Sequence, residues 1–119
     1  FSYVKDTVAG FIAALQAESG LGEVINLGSS FEISINETAQ LIGDAMGTSV
    51  EIVSDEIRLR PENSEVERLW ADTTKAKEIF DWKPNYGGRE GFQRGLAETI
   101  EWFTKAENLR AYKSGMYNL

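Results

Sequence analysis

The stretch Arg-Leu-Arg-Pro-Glu-Asn-Ser-Glu-Val-Glu-Arg-Leu-Trp-Ala-Asp, residues 58–72, sets the expected order of the elements around it. On an alternating strand, Arg58 and Arg60 would point to the same face. Pro61 would end that strand, because proline has no backbone N–H to donate to a neighbour. Asp72, at the far end, is placed to cap a helix. The stretch therefore predicts a strand, a structured polar loop and a helix, in that order.

The two arginines of this stretch allow two interpretations. A pair of guanidinium forks at the mouth of a loop suits a phosphate or a diphosphate. The same side chains could instead pair with the nearby acids Glu62, Glu65 and Glu67. Spacing alone favours the ion pairs, because short arginine pairs are common and no phosphate-loop glycine motif accompanies this one.

The pattern on the N-terminal side predicts alternating strands and helices. A strand-like run at residues 1–4 is followed by a helix that Asp6 or Thr7 could cap. The apolar run at residues 24–27 is typical of a strand covered on both faces, as in a parallel sheet. Residues 34–37 match a capping box that opens a second helix, and residues 50–53 alternate like a third strand.

The pattern on the C-terminal side predicts helices only. A short helix follows Asp72 and ends at residues 82–84, and a turn at residues 85–88 leads to a longer helix. The tail, residues 105–119, adds at most one further turn, so the main unit is expected at residues 1–104. The order predicts an α/β fold with few short strands and about four helices.

Composition narrows the class of protein. The 119 residues include 42% hydrophobic and 26% charged residues, which is typical of one soluble globular domain. The formal net charge of −7 argues against nonspecific binding to nucleic acid or to an anionic membrane. The sequence has no cysteine and no histidine, so thiolate metal sites, cysteine nucleophiles and histidine bases are excluded. Without an apolar span or leader, a cytoplasmic protein is the expectation.

The predicted strand at residues 24–27 lacks neighbours in this sequence. A fully apolar strand expects a strand beside it and helices on both faces, and the chain offers little of either. Either a second copy supplies them, which predicts a homo-oligomer such as a homodimer, or they belong to a domain that the sequence does not contain.

Taken one at a time, the candidate catalytic motifs of this sequence are weak evidence for a catalytic site. Acidic pairs such as Asp55-Glu56 are most simply solvated loop charge, and none of the tyrosines stands four residues before a lysine. Ser29 and Ser30 lack the flanks of a nucleophile turn. The glycines at positions 20, 22 and 28 do not form a dinucleotide-binding fingerprint.

Five short motifs, taken in order, resemble one family. They lie at residues 1–8, 24–29, 60–61, 71–77 and 81–84. This order resembles the C-terminal part of the extended short-chain dehydrogenases, namely the NAD-dependent nucleotide-sugar epimerases and dehydratases. The stretch from Arg-Pro to Ala-Asp is most similar to the 4,6-dehydratase branch, and the resemblance extends to about residue 103.

The resemblance implies a Rossmann domain for NAD and a smaller C-terminal region that clamps a UDP-, GDP- or dTDP-linked sugar. This sequence would carry most of that smaller region and one late Rossmann strand at residues 24–27. The arginine of the Arg-Pro motif maps to Arg60, which would contact the diphosphate with Arg58 assisting. Ser64 or Glu65 would hold the ribose or the base.

The departures from the family concern catalysis. In the family, the glycine-rich turn, the catalytic Tyr-x-x-x-Lys and its Ser/Thr partner lie upstream, and this sequence has none of them. The resemblance therefore implies no catalytic residue, no NAD site and no metal site in these residues. In the intact lyase, NAD would oxidise the sugar C4, water would leave across C5 and C6, and the hydride would return. Two alternatives stay open: a stand-alone, non-catalytic module that self-associates, and an unrelated small α/β fold.

Overall fold

The computed structural model describes residues 1–53 and 68–110, and helices dominate both ranges. Five helices lie in these ranges: α1 (Val4–Gln16), α2 (Ile35–Met46), α3 (Thr74–Phe80), α4 (Gly88–Thr104) and α5 (Ala106–Leu109). Helix α1 packs against α3, whereas α4 packs against both α2 and α5. No helix in the described ranges is long and apolar enough to cross a bilayer.

The predicted strands are not formed by the described residues. Residues 24–27 and 50–53 have no regular secondary structure, and the run at residues 1–4 leads directly into α1. The reason is physical: a strand needs a hydrogen-bonded neighbour, and the described part of the chain supplies none. The strand predicted at residues 58–60 lies outside the described residues. The described part is thus helical, which corrects the α/β expectation there, and the boundary between residues 104 and 105 stays a prediction.

Helix α2 begins and ends as its sequence predicts. The Ser34 hydroxyl accepts a hydrogen bond from the Glu37 backbone N–H at 3.1 Å. The last turn ends at Gly47, whose φ of 65° is in the left-handed region that glycine adopts without strain. The predicted capping motif is therefore confirmed. It could be predicted because its hydrogen bonds join residues that are only a few positions apart in the sequence.

Helix α3 begins beside the predicted capping residue. Asp72 accepts hydrogen bonds from the Thr74 backbone N–H at 2.9 Å and from the Thr74 hydroxyl at 2.6 Å. These bonds hold the pKa of Asp72 below its ordinary value, because they stabilise the charged carboxylate. The helix ends at Asp81 in a left-handed conformation, with φ of 51°.

The core of the described residues is small. Ala76 in α3 is fully buried and Trp82 is 6% exposed. Close approaches of glycine backbone to a neighbouring side chain or backbone complete the packing. A Cβ added at Gly10 in α1 would lie 2.9 Å from Leu27 Cδ2, and one added at Gly91 in α4 would lie 2.7 Å from Tyr86 Cα. These glycines bring α1 against residues 24–27, and α4 against the turn that precedes it.

Candidate functional site

A buried carboxylate joins α1 to the turn before α4. Asp6 is 4% exposed, and its two oxygens accept hydrogen bonds from the backbone N–H groups of Asn85 and Tyr86, both at 2.9 Å. The sequence predicted that Asp6 caps a helix. That role is wrong, because α1 begins at Val4 and Asp6 lies within its first turn. The role of Asp6 is to hold the turn at residues 85–86.

Three side chains meet at Glu98, and we call the four residues together the Tyr–Glu cluster: Tyr3, Lys5, Tyr86 and Glu98. The Glu98 carboxylate accepts hydrogen bonds from the Tyr3 hydroxyl at 2.8 Å, the Lys5 ammonium at 2.6 Å and the Tyr86 hydroxyl at 2.5 Å. The two tyrosine rings lie 4.3 Å apart. Arg94 lies over the Tyr86 ring at 5.2 Å.

Electrostatics make the Tyr–Glu cluster a poor acid–base centre. The Lys5 ammonium, followed by the two phenols, lowers the pKa of Glu98 to about 2. Burial, followed by the hydrogen bond to Glu98, raises the pKa of Tyr3, and the bond to Glu98 raises that of Tyr86. A catalytic tyrosine needs the opposite shift to work near neutral pH. The cluster therefore holds α1, the turn and α4 together.

A cleft of about 720 Å³ lies between the first residue, the start of α2 and the described residues that follow position 67. We call it the Phe1 cleft. A second cleft of about 340 Å³ also has Phe1, Phe31 and Leu69 in its wall. The Phe1 cleft is lined by Phe1, Phe31, Glu32, Ile33, Ser34, Ile35, Glu37, Arg68 and Leu69.

The cleft has an aromatic wall. The rings of Phe1 and Phe31 both contact Phe92 of α4, with centroids 5.6 Å and 5.8 Å away. Flat apolar faces of this kind can pack against a nucleobase or the apolar face of a sugar ring.

The charged side chains of the cleft are paired. The Arg68 guanidinium donates to both Glu32 oxygens at 2.8 Å, a bidentate arrangement. The hydrogen bonds of this pair lower the pKa of Glu32 and raise that of Arg68, because they stabilise the charged form of each group. Glu37 accepts from Arg89 at 3.2 Å. Both arginines are thus neutralised by glutamates.

The residues predicted to bind substrate, namely Arg58, Arg60, Ser64 and Glu65, lie outside the described residues. Their roles stay predictions. The first described residue after this segment is Arg68, at the wall of the Phe1 cleft.

Sequence patterns do not predict the Phe1 cleft or the Tyr–Glu cluster. Tyr3 and Glu98 are 95 positions apart, so no local spacing signals their contact. Phe31 directly follows the Gly-Ser-Ser turn at residues 28–30, and an aromatic residue at such a position is the one local signal available.

Two of the three glycines at positions 20, 22 and 28 lie close to neighbouring side chains. A Cβ added at Gly20 would lie 2.8 Å from Ile79, and one added at Gly28 would lie 2.5 Å from Ala71. Gly22 has open space around it, but no helix begins there to offer its N–H groups.

Comparisons of the chain with a family model and with known proteins indicate the same family. The family model described as GDP-mannose 4,6 dehydratase matches residues 1–95. A UDP-N-acetyl-alpha-D-glucosaminuronate decarboxylase of Bacillus cytotoxicus is 39% identical over 110 residues, which cover 91% of this chain and 33% of the relative. A UDP-glucuronate 4-epimerase of Thermodesulfobacterium geofontis is 33% identical over 96% of this chain and 32% of the relative. UDP-glucuronic acid decarboxylase 1 of Xenopus tropicalis is 32% identical over 88% of this chain and 23% of the relative. No solved structure matches.

The matching sequences define a class of proteins that includes decarboxylases, epimerases and dehydratases of nucleotide sugars. This chain belongs to that family, the nucleotide-sugar epimerases and dehydratases of the extended short-chain dehydrogenases. The resemblance stated from the sequence motifs is confirmed. The chain spans about a third or less of the length of these relatives.

Proposed function

We propose that this chain is the substrate-binding C-terminal portion of an NAD-dependent nucleotide-sugar 4,6-dehydratase or epimerase. It holds the nucleotide diphosphate and is not catalytic alone. The observation that carries this proposal is the family match over residues 1–95. Three relatives with other reactions are all named for UDP-linked sugars, which supports a shared ligand class.

The Phe1 cleft supports the same ligand class. Its aromatic wall suits a base or a sugar ring, and its volume of about 720 Å³ is in the range of small-molecule sites. Among its described lining residues the one cationic side chain is Arg68, which pairs with Glu32. A diphosphate bound there needs positive charge from elsewhere in the chain.

Arg60 is the proposed source of that charge, with Arg58 assisting. Both stand a few residues before Arg68 in the sequence, and Arg60 is the arginine of the family's Arg-Pro motif. A planar guanidinium fork matches phosphate oxygens better than a lysine does. Ser64 or Glu65 is proposed to hold the ribose or the base through a hydroxyl or a carboxylate.

The proposal gives the Tyr–Glu cluster a structural role. The hydroxyls of Tyr3 and Tyr86 both donate to Glu98, and the pKa values of both tyrosines are raised. The NAD-binding and catalytic residues are proposed to belong to the rest of the family fold. Homodimer formation and a cytoplasmic location stay predictions.

The test is titration calorimetry of the chain with UDP-, GDP- and dTDP-linked sugars. Replacing Arg60 by alanine removes a charge-assisted contact worth about 1.5–3 kcal/mol, so binding should weaken about 10- to 150-fold. Arg110→Ala is the matched control, because Arg110 is an exposed arginine after α5. Equal affinity of the wild-type chain and Arg60→Ala for the bound sugar nucleotide would refute the assignment of Arg60.

A further inference from the structure

The described lining of the Phe1 cleft has no net positive charge. It includes two carboxylates, Glu32 and Glu37, and one cation, Arg68. The arginine is paired with Glu32, so its charge is already balanced. Carboxylates repel a diphosphate. This part of the cleft therefore suits an uncharged part of a nucleotide sugar, namely the base, the ribose or the sugar.

The aromatic wall of the cleft favours the base among these three. The rings of Phe1 and Phe31 line the cleft, and Phe1 is 60% exposed. A planar base offers a whole π-face to such rings, whereas a sugar offers only patches of C–H groups. Stacking does not distinguish one base from another, because every base has a π-face. Selection among bases therefore needs a polar group at the edge of the ring.

Arg68 has the geometry to contact that edge. Its Nε–H and one N–H of Nη2 donate to the two Glu32 oxygens, both at 2.8 Å, which fixes the guanidinium from one side. A guanidinium has five N–H donors in one plane, so these two bonds leave three, on Nη1 and on the outer side of Nη2. The Arg68 side chain is 73% exposed, and its outer edge is accessible to a ligand.

We propose that the Phe1 cleft holds the base of the nucleotide sugar, and that Arg68, positioned by Glu32, selects a base with a carbonyl at this edge, namely uracil, thymine or guanine. This inference rests on the proposed function. The outer N–H groups of Arg68 donate to the carbonyl oxygen, a neutral acceptor that a paired arginine still binds. Cytosine and adenine have an amino group at the corresponding position, so two donors would face each other. The ribose is then left to Ser64 or Glu65.

The test compares ligands that differ at this edge of the base. UDP-glucose and CDP-glucose share the ribose, the diphosphate and the sugar, but uracil has a carbonyl where cytosine has an amino group. GDP-glucose and ADP-glucose form the corresponding purine pair. Each is titrated by calorimetry into the 119-residue chain at one ionic strength. In the pair that binds, the carbonyl member should bind about tenfold more tightly, because a hydrogen bond to a charged group is replaced by a contact between two donors.

Arg68→Met removes the donors and keeps an unbranched side chain. Arg89→Met is the matched control, because Arg89 pairs with Glu37, the other glutamate of the cleft, but does not line the cleft itself. Each variant thus leaves one glutamate of the cleft unpaired. Arg68→Met should reduce the preference for the carbonyl base to less than about twofold, and Arg89→Met should keep it at about tenfold.

The outcomes separate this inference from the proposed function. Equal affinity of the wild-type chain for both members of a pair would overturn the role of Arg68 and leave the proposed function standing; this comparison needs no variant to fold. An equal loss of affinity for both members in Arg68→Met would also overturn it, because Arg68 would then contact a part that both ligands share. No binding of any of the four nucleotide sugars would refute the proposed function and this inference with it.

Discussion

The hydrogen bonds of Asp6 predict a large loss of stability when its carboxylate is removed. A hydrogen bond to a charged group contributes about 1.5–3 kcal/mol, and Asp6 accepts two at 2.9 Å. The N–H of Asn85 can turn to water, because that residue is exposed, whereas Tyr86 is half-buried. We therefore expect Asp6→Ala to cost about 2–4 kcal/mol, less than the sum of two full contributions.

Urea unfolding followed by circular dichroism measures this loss. Asp6→Asn keeps one carbonyl oxygen as an acceptor, so it should lose about half as much stability as Asp6→Ala. The matched control is Asp44→Ala, because Asp44 is an exposed aspartate in the last turn of α2. A free energy of unfolding for Asp6→Ala within about 0.5 kcal/mol of the Asp44→Ala value would refute the role given to Asp6.

Two further predictions concern α4. The pKa of Glu98 is lowered to about 2, so its contacts stabilise the fold above its ordinary pKa of 4.5, and this contribution is lost as the pH falls towards 2. Glu98→Gln should therefore flatten the loss of stability between those pH values, measured by urea unfolding at several pH values, whereas Glu90→Gln should leave the wild-type slope. Gly91→Ala would place a Cβ 2.7 Å from Tyr86 Cα and should cost about 1–3 kcal/mol after the gain in helix propensity. A Cβ at Gly22 would meet no atom within 4 Å, but φ there is 83°. Gly22→Ala should therefore cost only about 1 kcal/mol, through backbone strain. Thermal melts that rank the two glycine variants in the opposite order would contradict this packing.

The parts of the fold that the sequence predicts well are those whose bonds are local. The cap of α2 is an example, because Ser34 and Glu37 are three positions apart. The carboxylate of Asp72 is another, since it contacts Thr74 two positions away. The residues of such motifs stand at a fixed, short spacing that can be recognised in the sequence.

The parts that the sequence does not predict depend on distant partners. The contacts of Glu98 with Tyr3 and of Asp6 with Tyr86 join residues far apart in the chain, and nothing in either neighbourhood signals them. The apolar run at residues 24–27 was read as a strand, but pairing requires a neighbour that the described residues do not supply. The apolar pattern of this run predicts a preference for a β-strand, whereas a strand forms only where a neighbouring strand is present to pair with it.

The predicted binding residues stay predictions, and the Phe1 cleft was not predicted, for the same reason. The family motifs indicate Arg58 and Arg60, because the Arg-Pro motif is short and can be recognised in the sequence. The Phe1 cleft combines Phe1, Phe31 and Arg68, which come together only after the chain folds. Family resemblance thus indicated the ligand class, and the structure added an aromatic wall with paired charges.

Titration of isotope-labelled chain with a UDP-linked sugar, followed by NMR of the backbone amides, tests the central claim most directly. We expect saturable shifts at Phe31, Glu32 and Leu69, because these residues line the Phe1 cleft. The amide of Glu98 should stay unchanged, since its cluster is fully engaged within the chain. No saturable shift with any UDP-, GDP- or dTDP-linked sugar, or shifts confined to the Tyr–Glu cluster, would contradict the proposal that this chain binds a nucleotide sugar.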